Sequence, residues 1–304
     1  MNYDLVIIGA GTAGLSAAVY GVRAGLSTLV IESNLHGGQI INTPDIVNYP
    51  AIEIISGADF ANKLLEHAVH LGAQVVYEKI VSLDLGGKIK EIATNQNKYA
   101  AKSVIIANGA QRREIGCAGE KEFQGKGVSY CATCDGSFYK GQTVCIAGGG
   151  NTALEDALYL ARICKTVHLI HRRDAFRGNK QTARKVQQTA NIQLHLNKQI
   201  IQIEGNQKVN AVVIEDTKDK SQTTIQTNGV FIAIGLTPEN QFFKEWLDLN
   251  SDGYIIAGED CKTKTPGLFV AGDTRTKEVR QLVTAAADGA VAATASALYI
   301  EQLD

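Results

Sequence analysis

The 304-residue chain is poor in proline and tryptophan, with four and one against thirty glycines, a composition suited to many tight strand-to-helix turns. Its charges nearly cancel, 31 acidic against 30 basic, so the basic field that a nucleic-acid binder needs is missing. It lacks an uninterrupted apolar run of the roughly 18 residues that a membrane helix requires. No basic n-region precedes the first apolar strand, which argues against a secretory leader. These absences speak against nucleic-acid and membrane roles and make the cytoplasm the expected compartment. A second close cysteine pair is also absent. Cys117, Cys145, Cys164 and Cys261 stand alone, and no two histidines show the spacing of a zinc finger. A structural zinc site needs four ligands, usually two such pairs or a pair plus two histidines, so no metal is expected. Scattered cysteines are equally unlike a secreted disulfide framework.

The one close pair present is Cys131-Ala132-Thr133-Cys134, with Asp135-Gly136 directly behind it. This spacing closes a small disulfide and often lowers one thiol pKa until it reacts near neutral pH, which is redox chemistry. Shortly after, a strand at 143–147 runs into Gly148-Gly149-Gly150-Asn151-Thr152-Ala153, a glycine-rich turn opening a helix. A dithiol and a nucleotide-binding turn are therefore neighbours.

The same plan stands at the start of the chain. A buried strand, Leu5-Val6-Ile7-Ile8, leads into Gly9-Ala10-Gly11-Thr12-Ala13-Gly14, then a helix of small residues and a second strand reaching Glu32. Strand, turn, helix, strand and terminal acid together form a dinucleotide fingerprint. Gly9, Gly11 and Gly14 let backbone approach a pyrophosphate, Thr12 and Ala13 begin the helix whose free N–H groups face it, and Glu32 suits a ribose diol. Glu32 lies 23 positions after Gly9, and His171 lies 23 after Gly148. In the second unit, Gly148, Gly150, Asn151 and Thr152 form the turn, but His171, Arg172 and Arg173, with Arg177, replace the acid. Arginines there remove repulsion of a ribose phosphate and supply forked donors, so this site should take NADPH.

Length argues for about two domains. Each nucleotide unit should be completed by a strand meander, at 72–107 and 192–227, that returns to its sheet. The polar stretch 112–126 and the composition change after Pro238 set the boundaries. The expected organisation is α/β, with two three-layer Rossmann-like dinucleotide-binding domains: 1–113 with 239–304, and 114–238 inserted between them. Gly267 to Asp273, Arg280, Gln281 and a helix of small residues at 282–299 close the chain. The N-terminus of that helix could stabilise negative charge on a flat ligand.

These motifs, joined by Gly37-Gly38-Gln39, Asn48-Tyr49-Pro50, His171-Arg172-Arg173-Asp174 and Ala271-Gly272-Asp273, closely resemble the bacterial low-molecular-weight thioredoxin reductases, which are pyridine nucleotide-disulfide oxidoreductases. The resemblance covers essentially the whole length in the same order. It implies FAD in the first domain, NADPH in the insert, and a homodimer formed mainly by the FAD domains. It assigns Gly38, Gln39, Asn48, Asp273, Arg280 and Gln281 to FAD, with Gly109 and Gly272 in the adjoining turns, and Arg172, Arg173 and Arg177 to the 2'-phosphate. It further implies that NADPH reduces FAD, that FAD opens the Cys131–Cys134 disulfide, and that the dithiol reduces a thioredoxin or thioredoxin-like protein. Cys134 would face the flavin, Cys131 attack the partner, and Asp135 protonate a leaving thiolate. Glycine and proline near 111–119 and 235–241 suit hinges about which the insert would swing. Asn151-Thr152, Asn108 and Ala51-Ile52 depart from the common pattern. A flavin dithiol oxidase or a ferredoxin-fed reductase on the same fold is the alternative, but such relatives would lack the arginines.

Overall fold

A computed structural model describes residues 1–303, with backbone alone described at position 42. The chain forms two compact units: Met1–Gln111 with the chain from Thr237 onward, and Arg112–Leu236 between them.

In the first unit, β1 (Asn2–Ile8) is buried on both faces, as a central parallel strand must be. Leu5 and Ile7 point to the core on the helix side, Val6 and Ile8 to the core on the other side. The chain continues through α1 (Thr12–Arg23), β2 (Thr28–Glu32), α2 (Gly57–His70), β3 (Gln74–Tyr77), β4 (Ile80–Asp84), β5 (Lys90–Thr94) and β6 (Lys98–Ile106). Helix α2 starts at Ser56, whose hydroxyl accepts the Asp59 N–H. The sequence suggested a meander across 72–107, whereas β3 is a parallel neighbour of β2 and only β4 to β6 are antiparallel. The reason is α2, a crossover helix that carries the chain back to a parallel start. β6 then returns beside β1, giving the order β3-β2-β1-β6-β5-β4.

After the short β7 (Ala110–Arg112), the second unit repeats the scheme with β8 (Val128–Ser129), α3 (Ala132–Asp135), β9 (Thr143–Ala147), α4 (Asn151–Ala161), β10 (Thr166–His171), α5 (Lys180–Gln188) and β11 (Ile192–Leu196). β11 is again parallel to its neighbour, where a meander was expected. A separate antiparallel sheet of β12 (Lys198–Gly205), β13 (Val209–Asp216) and β14 (Gln222–Gln226) follows. β15 (Gly229–Ile232) then returns beside β9. Val144 and Ile146 face the helices, while Cys145 and Ala147 face Ile200 and Val212 of the antiparallel sheet. Three layers result.

β16 (Leu236–Pro238) pairs with β7 where the chain leaves the insert. The stretch after β16 brings Phe243 and Leu247 into the core of the first unit. β17 (Leu268–Val270) joins β6 in parallel, and α6 (Leu282–Glu301) ends the unit. Contrary to the sequence reading, α6 is long and apolar enough to span a membrane by length and composition, with a mean hydropathy of 1.3. Its leucines, valines and isoleucine supply much of that hydropathy, while its small residues let it press on α1, where a side chain at Gly289 would collide with the Ala13 carbonyl. One face of it packs into the core of the first unit.

Candidate active site

Cys131 and Cys134 form a disulfide with Cα atoms 5.3 Å apart. Cys131 caps the one-turn helix α3 and its Sγ accepts the Cys134 N–H at 3.2 Å. That contact places positive N–H character at the sulfur that would carry charge once the bond opens. Asp135 is half-buried at the end of the turn. Burial pushes its carboxyl up, while a hydrogen bond from Ser129 and the Arg112 guanidinium pull the other way. The Ser129 hydroxyl lies 2.5 Å from Asp135 Oδ2 and accepts the Cys131 N–H at 3.1 Å.

The residue before the dithiol is held from two sides. Tyr130 donates its hydroxyl to Glu120 at 2.8 Å, and Arg112 lies over the Tyr130 ring at 5.3 Å. Glu120 is 1% exposed and also accepts the Ile115 and Gly116 N–H groups at 3.0 and 2.7 Å. Sequence reasoning missed Ser129, Glu120 and Tyr130, because polar contacts across a fold leave no period in the chain.

In the first unit, Gly11 is the N-cap of α1, and no side chain caps the helix. A Cβ at Gly9 would strike the Ala107 carbonyl and one at Gly14 the Gly9 carbonyl, but one at Gly11 would meet nothing within 4 Å. Thr12 and Ala13 begin the helix behind that space. Glu32 is held beside it, one carboxylate oxygen accepting the Ala10 N–H at 2.8 Å and the other the Asn34 N–H at 2.9 Å. Gly37 donates its N–H to Ala10 at 2.7 Å, bringing Gly38 within 3.6 Å of the Gly11 Cα by the same measure of an added Cβ. Gln39 donates its side-chain amide to the Ala110 carbonyl, next to Gly109.

The C-terminal residues meet the same region. A Cβ at Gly272 would lie 2.8 Å from that of Ala13. Asp288 holds this turn: its carboxylate accepts the Gly272 N–H, Arg275 Nε and Lys277 Nζ, each at 2.9 Å. Burial opposes its ionisation, but the Arg275 and Lys277 hydrogen bonds hold its carboxyl below the ordinary range. Arg280 stacks over Tyr254 at 4.2 Å, and Asn48 donates to Gln281 at 3.2 Å. Asp273 follows Gly272 in the turn. An uncapped helix start, an open glycine cradle and a fixed carboxylate at ribose reach fit a dinucleotide with free 2'-hydroxyl.

The second unit carries the matching cradle. Gly150 is the N-cap of α4, again with no side-chain cap and no atom within 4 Å of an added Cβ, while Gly148 abuts the Ala233 carbonyl. Asn151 begins the helix and its side-chain oxygen accepts the Asn179 N–H at 2.7 Å; Thr152 follows, exposed. His171 is buried: its ring fills the space against Gly149 and its Nε2 lies 3.1 Å from the Ala175 carbonyl. Burial, then the surrounding arginines, lower its pKa. Arg172, Arg173 and Arg177 are exposed, and the Arg177 N–H binds the Gly149 carbonyl at 2.8 Å. The turn thus has cationic forks at its edge, where a phosphorylated ribose fits.

Residues 3–289 match the family model described as pyridine nucleotide-disulphide oxidoreductase. A thioredoxin reductase of Bacillus subtilis is 43% identical over 302 residues, covering 99% of this chain and 96% of that one. A thioredoxin reductase of Treponema pallidum is 41% identical, covering 99% and 98%. Among solved structures, a thioredoxin reductase from Streptococcus pyogenes has a TM-score of 0.94 at 38% identity, and one from Giardia duodenalis 0.95 at 34%, each with 99% of both chains covered.

Proposed function

The chain belongs to the pyridine nucleotide-disulphide oxidoreductase family, and from that premise we propose how its residues divide the work of a thioredoxin reductase, which passes electrons from NADPH to the disulfide of thioredoxin. FAD held in the first unit would supply two-electron chemistry between NADPH and the Cys131–Cys134 disulfide. The turn from Gly9 to Gly14, with Glu32, Gly38, Gln39, Asn48, Gly109, Gly272, Asp273, Arg280 and Gln281, holds the flavin nucleotide. Gly148, Gly150, Asn151 and Thr152 receive the pyridine nucleotide, His171 props the turn from beneath, and Arg172, Arg173 and Arg177 select its 2'-phosphate. The two nucleotides accordingly belong to 1–113 with 239–304 and to 114–238.

In the exchange, the Cys131 thiolate attacks one sulfur of the thioredoxin disulfide and forms a mixed disulfide, releasing the other sulfur as a thiolate. Asp135, protonated at the outset, gives that thiolate its proton. Asp135, now ionised, takes the Cys134 proton, and the Cys134 thiolate attacks Cys131 Sγ, restoring the internal disulfide and releasing the second thioredoxin sulfur as a thiolate. The observation that carries this reading is the closed Cys131–Cys134 pair with a half-buried acid adjoining it. The exposed Val291 and Leu298 on α6 support a homodimer of the first unit, and four cysteines left as thiols support a cytoplasmic setting. The test is NADPH oxidation by the FAD-loaded protein on addition of a bacterial thioredoxin. Oxidation that does not depend on thioredoxin would refute the assignment.

A further inference from the structure

We infer that Ser129 is a positioning residue for the exchange reaction, its hydroxyl tying the Asp135 carboxyl to the Cys131 backbone. The inference rests on the reading of Asp135 as proton donor. Ser129 is 5% exposed and ends β8, where it is paired with Phe231 of β15, so the sheet fixes its backbone. Its Oγ has three neighbours: Asp135 Oδ2 at 2.5 Å, the Cys131 N–H at 3.1 Å and the Cys131 carbonyl at 3.3 Å. A hydroxyl owns one proton and two lone pairs. One lone pair takes the Cys131 N–H throughout. While Asp135 is ionised, the proton of Ser129 points to the carboxylate. Once Asp135 is protonated, the acid donates to Oγ and the serine proton turns to the Cys131 carbonyl. The hydroxyl therefore has two arrangements, chosen by the charge of the acid, and each keeps the carboxyl fixed against the dithiol turn.

The groups that face Asp135 are few. Arg112 favours its carboxylate and the Tyr139 phenol lies within its field, while burial favours the neutral acid. Among these, the Ser129 contact is the charge-assisted hydrogen bond, the kind with the strongest dependence on ionisation. Without it the carboxylate loses its donor, so the acid stays protonated to higher pH but is no longer held in place.

The test compares holoenzyme with Ser129→Ala, Ser129→Thr and Asp135→Asn, reading kcat/KM for thioredoxin reduction across pH and, separately, flavin bleaching by NADPH. Ser129→Ala is expected to lower the plateau about tenfold, a part of what a general acid contributes, and to move the alkaline limb to higher pH. Ser129→Thr should restore both, and bleaching should be unchanged in the Ser129 variants. If Ser129→Ala does not fold, Ser129→Val against Ser129→Thr carries the same comparison with matched shape. Asp135→Asn is expected to abolish the limb. A limb that survives Asp135→Asn refutes the role of Asp135 itself. A limb lost in Asp135→Asn but unmoved in Ser129→Ala or Ser129→Val overturns the inference about Ser129 alone, as does equal slowing of bleaching.

Discussion

The side-chain amide of Asn48 donates to the side-chain Oε1 of Gln281 at 3.2 Å, although the residues are 233 positions apart. Gln281 is also the N-cap of α6, its side chain and that of Thr284 forming a reciprocal capping box. The loop before α2 and the helix after the insert are thus fastened together at one end of the first nucleotide cradle. The two flanking segments of the first unit are thereby joined side chain to side chain.

The glycine turns separate folding from binding. Gly11→Ala adds a methyl group into open space at an ordinary backbone angle, so the protein should fold but be isolated with little flavin. Gly14→Ala should impair folding itself, because its Cβ would collide with the Gly9 carbonyl. Flavin content and thermal unfolding of the two variants check this, and equal loss of stability in both would contradict it.

Nucleotide choice should follow the exposed arginines. Replacing Arg172 and Arg177 by alanine removes charge-assisted contacts worth about 1.5 to 3 kcal/mol each, so KM for NADPH should rise more than tenfold while that for NADH barely changes. Steady-state kinetics with both nucleotides decide it. Equal losses with both would reduce the cluster to a structural role.

The two cysteines should separate flavin reduction from exchange. Cys131→Ser and Cys134→Ser should each abolish thioredoxin reduction while stopped-flow absorbance still records flavin bleaching by NADPH. A Cys134→Ser protein that cannot be bleached would reverse the order of steps.

Asp288 should be a stability determinant of the first unit. Its carboxylate is the shared anion of Arg275 and Lys277, whose side chains are 1% and 5% exposed. Asp288→Asn leaves Lys277 without its anion and Arg275 with only the exposed Glu259, and breaking such buried pairs costs about 3 to 5 kcal/mol. Denaturant unfolding should show the loss, together with weaker flavin retention through the Gly272 N–H that Asp288 receives.

Mild acid should loosen the second unit. His168 Nδ1 and His195 Nε2 are 3.0 Å apart across β10 and β11, and burial, then His195, push the His168 pKa down to about 4. Because the folded pKa lies below the ordinary value of 6.5, the unfolded chain binds the proton more readily. Stability is full above about pH 6.5 and should decline toward about pH 4. His168→Gln should flatten that part of the unfolding profile.

Both nucleotide folds were legible in the chain because turn, helix and strand stand in a fixed register, as Gly9 to Glu32 and Gly148 to His171 do. Helices α1 and α4 could be read because each opens directly from a glycine-rich turn after a buried strand. β3 and β11 were taken into meanders because Gln74–Tyr77, exposed at both ends, and Ile192–Leu196, mostly half-buried, are edge strands without clear alternation. The dithiol and its acid could be read from spacing. Ser129, Glu120 and the Arg275–Asp288 pair could not, since each acquires its role only from a partner delivered by the fold.

Lys90 bears on how the chain is made. Its ammonium is 1% exposed and donates to the carbonyls of Leu85, Gly87 and Pro266 at 3.0, 2.8 and 2.7 Å. Two of these acceptors are synthesised before or beside it, but the third follows the entire insert, as do β17 on β6 and α6 on α1. During translation the first 111 residues therefore wait, their central sheet short of a strand and a buried cation short of an acceptor. The insert is contiguous and can close as it leaves the ribosome. The order of birth is inverted: the unit begun second is finished first, and the one begun first is sealed by the last helix.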